Sequence, residues 1–195
     1  MSIAAVYLAW FVVALAMFRW CRPPVAVLAS FLGGWILLAV GTYPAGSAEA
    51  VFPYWIVGLA LPSDMLMTKA WVAPSSALLG ALVFDRDTLR RLRPTWIDAP
   101  IVAWCLWPAV AAAFVAEPSP STALACLYLA GSWGVPWLLG RLYFSSPDGR
   151  RLLVKGLVLS ALACLPFSVV EGVLGPTSYG RLYGPHPFRL DGDVR

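Results

Sequence analysis

Along this chain long apolar runs alternate with short polar turns. Six runs read as helices, over residues 3–18, 25–40, 65–84, 97–115, 123–143 and 152–170. A helix needs about 20 mostly apolar residues to cross the hydrocarbon core of a bilayer, and these runs approach or reach that length. Ten-residue segments alternating apolar and polar are absent, which argues against a transmembrane barrel. The pattern predicts an all-α, polytopic bundle of about six spans over residues 1–171, with both termini outside and a polar outer-face loop over 172–195.

The polar turns set the orientation. Arg19 and Arg22 follow the first run, Arg86, Arg90, Arg91 and Arg93 the third, and Arg141, Arg150, Arg151 and Lys155 surround the junction after the fifth. With six spans these clusters share one side, which the bias of basic residues makes cytoplasmic. The opposite turns, "TYPAGSAEA" and "AEPSPS", hold no Lys or Arg. Residues 51–61 would reverse the third cluster if they crossed separately. They are therefore expected to lie at the interface or re-enter, with Tyr54 and Trp55 at headgroup level. Asp64 and Lys69 are expected near the outer boundary, reaching interfacial water.

Composition agrees. Apolar residues make up 60% of the chain and charged residues 12%, against about 25% charged in soluble domains. The net charge of +4 is dispersed over short turns and forms no continuous basic face, so nucleic acid is not an expected partner. Cys21, Cys105, Cys126 and Cys164 are far apart and form no CxxC, a spacing that predicts neither a metal site nor a disulfide framework. The first basic residue, Arg19, comes after the first apolar run. That is the reverse of a cleaved signal, so the run is expected to be a retained helix.

Pro74, Pro108, Pro136 and Pro166 fall inside the runs. Each removes an amide donor and crowds the carbonyl four residues back; for Pro136 that carbonyl belongs to Ser132. The fifth run holds Ala130, Gly131, Ser132, Gly134 and Gly140, small residues that allow close helix approach. Trp133 and Trp137, four apart, are expected on one face.

The chain closes on "EGVLGPTSYGRLYGPHPFRLDGDVR". Gly172, Gly175 and Pro176 are expected to end the last helix. Beyond it, Arg181, Arg189 and Arg195 stand on the side where basic residues are disfavoured. A guanidinium fork donates paired hydrogen bonds to phosphate oxygens, so these arginines, with Tyr183, are candidate contacts for an anionic, membrane-anchored substrate. His186 is a candidate base for an attacking hydroxyl, since imidazole titrates near neutrality. Glu171, at the mouth of the last helix, is a second candidate base.

The stretches "PSDMLMTKAWVAP", "LAGSWGVPWLLGRLYF" and "EGVLGPTSYGRLYGPHPFR" resemble the N-terminal half of bacterial O-antigen ligase-like membrane proteins, the superfamily of O-antigen ligases and polymerases. The resemblance implies an inner-membrane, multi-pass glycosyltransferase of about a dozen helices. Such enzymes need no metal and move a glycan from a polyprenyl pyrophosphate carrier onto a lipid or sugar acceptor at the periplasmic face. Family members hold the pyrophosphate with periplasmic arginines and use a histidine of a large outer loop. The Arg-Pro-x-Gly stretch of the family, with the His and Asn that follow it, is not found before Arg195. His186 does not map onto the family histidine, and the chain is expected to be a truncated reading frame or fragment, with partner helices from a C-terminal half. Two alternatives stay open: a transporter or flippase with Asp64, Lys69 and Glu171 along a polar path, and a non-catalytic subunit packing through the small residues of the fifth run.

Overall fold

The computed structural model describes residues 3–38, 68–115 and 120–174, and these are all-helical. Each of the six apolar runs is helical along its described residues, apart from the extended cap residues Leu38 and Thr68. The elements are α1 (Ile3–Trp20), α2 (Pro23–Leu37), α3 (Lys69–Phe84), the short α4 (Arg86–Arg90), a 3-10 turn (Trp96–Asp98), α5 (Ala99–Val115), α6 (Pro120–Leu129), a π turn (Ala130–Gly134), α7 (Val135–Phe144) and α8 (Pro147–Leu174). The piece over 51–61, with Tyr54 and Trp55, lies outside the described residues, as does Asp64.

Among the described residues, three helices are long and apolar enough to cross a membrane by length and composition, over Trp96–Phe114, Thr122–Phe144 and Pro147–Val170. The other apolar helices are shorter, over Ala4–Trp20, Pro23–Leu37 and Lys69–Phe84. At 1.5 Å per residue they reach roughly 22–26 Å, less than the ~30 Å hydrocarbon core. The short helices pack on one another, whereas the long ones carry uncovered apolar faces. On α8, Leu159, Phe167 and Val173 are 66%, 64% and 78% exposed. Contiguous exposure of this kind is foreign to a surface in water and ordinary in lipid.

α3 is the central helix of the short set, packed on both α1 and α2. Ala70, Ala73, Ala77 and Ala81 are buried along it with Gly80, and this small-residue stripe lets neighbouring backbones approach. A Cβ on Gly34 of α2 would stand 2.6 Å from the Cβ of Ala73, and one on Gly80 would enter the ring of Phe18. The α1–α2 hairpin turns within Cys21 and Arg22. Pro23 and Pro24 then open α2, where the missing amide costs nothing and the fixed φ already suits a helix. Trp10 Nε1 donates to the carbonyl of Ser30 at 3.2 Å, tying the hairpin together. The main core joins Phe18, Val27, Leu28, Ala77, Leu139 and Phe144, so α7 closes onto the short set.

Two expectations change. Lys69 does not simply reach out to interfacial water. It is half-buried, its Nζ donates to the carbonyl of Trp35 at 3.4 Å and lies 5.5 Å from the centre of the Trp35 ring. It thus serves one of the last carbonyls of α2, where a cation also suits the helix dipole. Gly172 does not end the last helix, which runs on to Leu174; Gly175 and Pro176 lie outside the described residues.

Candidate functional site at the basic end

The three arginine-bearing turns meet at one end of the bundle. Pro23 and Pro24 from the α1–α2 turn, Asp85, Thr88, Arg91, Leu92, Arg93 and Thr95 from the α3–α5 connection, and Arg141–Tyr143 from the end of α7 line a single open cavity of about 680 Å³. The gathering has a local cause. Tyr143 donates its hydroxyl to Asp85 Oδ2 at 2.9 Å, which holds the end of α7 to the end of α3. Arg86 folds back and donates to the carbonyl of Leu82 at 2.7 Å, satisfying an otherwise orphan carbonyl of the last turn of α3.

Beside the cavity stands a polar node around Asp98. Thr95 and Asp98 form a reciprocal capping arrangement over the 3-10 turn, in which the Thr95 amide donates to Asp98 Oδ2 at 2.8 Å. The same carboxylate accepts from Arg141 Nη1 and, at 2.9 Å, from Trp137 Nε1. The Thr95 hydroxyl donates to it as well, at 3.3 Å. Both oxygens are therefore engaged, and a carboxylate at the start of an apolar helix is neutralised by a guanidinium and satisfied by four donors. The node bridges the start of α5 to α7.

Below the node the two helices diverge. α5 packs chiefly on α6 and the π turn, leaving between α5 and α7 a groove of about 370 Å³ that is almost wholly apolar. One face of α5 supplies Asp98, Ile101, Val102, Cys105 and Leu106, at the spacing of a single helical stripe. The facing wall is Ala130, Gly134, Trp137, Leu138 and Arg141. Leu92 and Arg141 line both cavity and groove, so the two spaces adjoin.

The π turn shapes this wall. Pro136 cannot donate to Ser132, and the ladder widens over Ala130–Gly134 immediately before it, a common response to a lost bond. Ser132 Oγ turns back to the carbonyl of Tyr128 at 2.7 Å. Trp71 of α3 lies against Gly131 and donates Nε1 to the carbonyl of Leu127 at 3.4 Å. Of the small residues expected to permit close packing, Gly131 meets Trp71 and Gly134 meets Cys105, but Gly140 faces open space. Trp133 and Trp137 are both partly exposed, and only Trp137 takes part in the node.

The candidate residues of the tail are not brought to this site by anything described. Arg181, Tyr183, His186, Arg189 and Arg195 lie outside the described residues, and Glu171 stands in the last turns of α8. Asp85, Asp98 and Tyr143 were not singled out from sequence, and Trp137 was expected only to share a face with Trp133. The signal for Asp98 was the Thr-x-x-Asp pattern of "TWID" ahead of an apolar run. No family model matches the chain, and comparison with curated proteins and with solved structures finds no match.

Proposed function

We propose that the chain is a multi-pass protein of the bacterial inner membrane and the N-terminal portion of an O-antigen ligase/polymerase-like glycosyltransferase. In this reading a glycan leaves its polyprenyl pyrophosphate carrier at the periplasmic face. The supporting observation is the course of α8. It starts at Pro147, directly after the α7 end that forms the basic cavity, and continues for 28 residues, about 42 Å at 1.5 Å per residue. With the basic end in the cytosol, Leu174 emerges on the periplasmic side and the segment 175–195 begins there.

The chemistry follows from that placement. Arg181, Arg189 and Arg195 hold the diphosphate, and Tyr183 belongs to the same substrate-contacting group. As the glycosidic C–O bond to the diphosphate breaks, negative charge builds on the leaving oxygens, where fixed guanidiniums stabilise it. His186 takes the proton of the acceptor hydroxyl as the new C–O bond forms, and Glu171 at the helix mouth is the alternative base. Helices of a C-terminal half would cover the bare face of α8.

Sidedness is tested with single-cysteine variants in sealed cells, read with a membrane-impermeant maleimide. A cysteine at Ser178 is expected to label from outside, and one at Thr88 only after permeabilisation; the reverse pattern removes the reading. Arg189→Ala is expected to weaken retention of a polyprenyl diphosphate by about tenfold, the worth of a charge-assisted hydrogen bond. Unchanged retention removes Arg189 from the substrate contacts.

A further inference from the structure

We propose that the basic-end cavity and the α5–α7 groove form one binding site for an anionic phospholipid of the leaflet that meets that end. The headgroup phosphate lies in the cavity and one acyl chain lies in the groove. The inference requires α5 and α7 to stand in a bilayer. It requires nothing of the transfer chemistry assigned to the tail.

Charge points to the headgroup. The cavity lining holds Arg91, Arg93 and Arg141 against the single carboxylate of Asp85. Arg141 is largely neutralised by Asp98, yet its bond to that carboxylate uses only Nη1, and a guanidinium carries five N–H donors. Arg91 and Arg93 are exposed and make no ion pair among the described residues. Asp85 is partly engaged by the Tyr143 hydroxyl, so the field in the cavity is set by the two free arginines. A phosphate diester is the anion that a bilayer presents at this depth.

Shape points to the chain. The groove starts at the Asp98–Arg141 pair and runs inward along α5 to Leu106, eight residues on, roughly 12 Å of helix. Its walls are apolar, and the small residues Ala130 and Gly134 keep it open. A free phosphate would use the cavity and ignore the groove; a neutral lipid would use the groove and ignore the arginines. Their shared lining at Leu92 and Arg141 sets them side by side and favours a ligand with both parts.

The test uses the full chain in detergent, with lipid retention read by native mass spectrometry. Dioleoylphosphatidylglycerol is expected to be retained in preference to dioleoylphosphatidylcholine. The pair Arg91→Gln and Arg93→Gln is expected to lower phosphatidylglycerol retention on the order of 5-fold per arginine and to abolish the preference. Arg91→Lys with Arg93→Lys keeps the charge and should keep the preference. Val102→Trp, which fills the groove at a position facing outward, should reduce retention while leaving the cavity arginines in place. Equal retention of the two lipids, or a Gln pair that behaves as the parent, overturns the proposal. Displacement of phosphatidylglycerol by equimolar inorganic phosphate also overturns it, by showing a soluble-anion site.

Discussion

Replacing Gly80 by leucine should drive α1 off α3 and lower the thermal stability of the purified chain by an amount few single changes here would match. The side chain has nowhere to go: even a methyl at Gly80 would occupy the ring of Phe18. Phe18 is itself only 5% exposed and packed into the main core, so the ring cannot swing into solvent. Overpacking of this kind costs about 1–3 kcal/mol, and a leucine in place of a hydrogen belongs at the upper end. Phe18→Ala alone should cost about 3 kcal/mol, at the low end for an aromatic truncation because the helices separate into lipid rather than water. The two changes share one volume. The double variant Gly80→Leu/Phe18→Ala should therefore be more stable than the sum of the singles predicts. Melting of all three proteins in detergent, followed by size-exclusion recovery after heating, measures the cycle. Strict additivity would mean that the two positions are not in contact.

The second large effect is expected at Asp98. Asp98→Ala leaves Arg141 and Trp137 without their shared acceptor and removes the side-chain half of the cap over the 3-10 turn. Since α5 rests chiefly on α6 and the π turn, the node is what holds its first turn toward α7. Its loss should let the two helices part at that end and open the path to Cys105, which sits against Gly134. Alkylation of Cys105 by a membrane-permeant maleimide is expected to accelerate on the order of tenfold, the gain from losing a charge-assisted bond in a local opening equilibrium. Asp98→Glu should recover part of the protection. Unaltered alkylation would show that access to Cys105 is set by other contacts.

How much of this was legible from residues alone depends on the range over which each feature is encoded. The six apolar runs and the three arginine clusters are local in sequence, and the helices and the shared basic end follow from them. The fate of Ser132 was legible as a carbonyl stripped of its donor by Pro136, whereas the packing of Trp71, from another helix, against the resulting π turn was not. The node was not legible as a unit. Trp137 and Arg141 stand 39 and 43 residues from Asp98, and an acid at a helix start reads by itself as a solvated end. Nor does any local pattern show that the three short helices bury one another while α5 and α8 stay largely uncovered. For the tail candidates, from Arg181 to Arg195, the described helices bear only on where the segment begins.

The widened turn at Ala130–Gly134 has one more effect, on angular phase. It adds a residue to the helical count, so every side chain after it is rotated by about 100° relative to an uninterrupted α-helix. Before it, Tyr128 and Leu129 pack with Trp71 and Cys105; after it, Leu139, Tyr143 and Phe144 join Val27 and Leu28. One continuous rod thereby addresses two different sets of neighbours. Excising a single residue there would restore the regular winding and swing Arg141 away from Asp98 without touching either charged group.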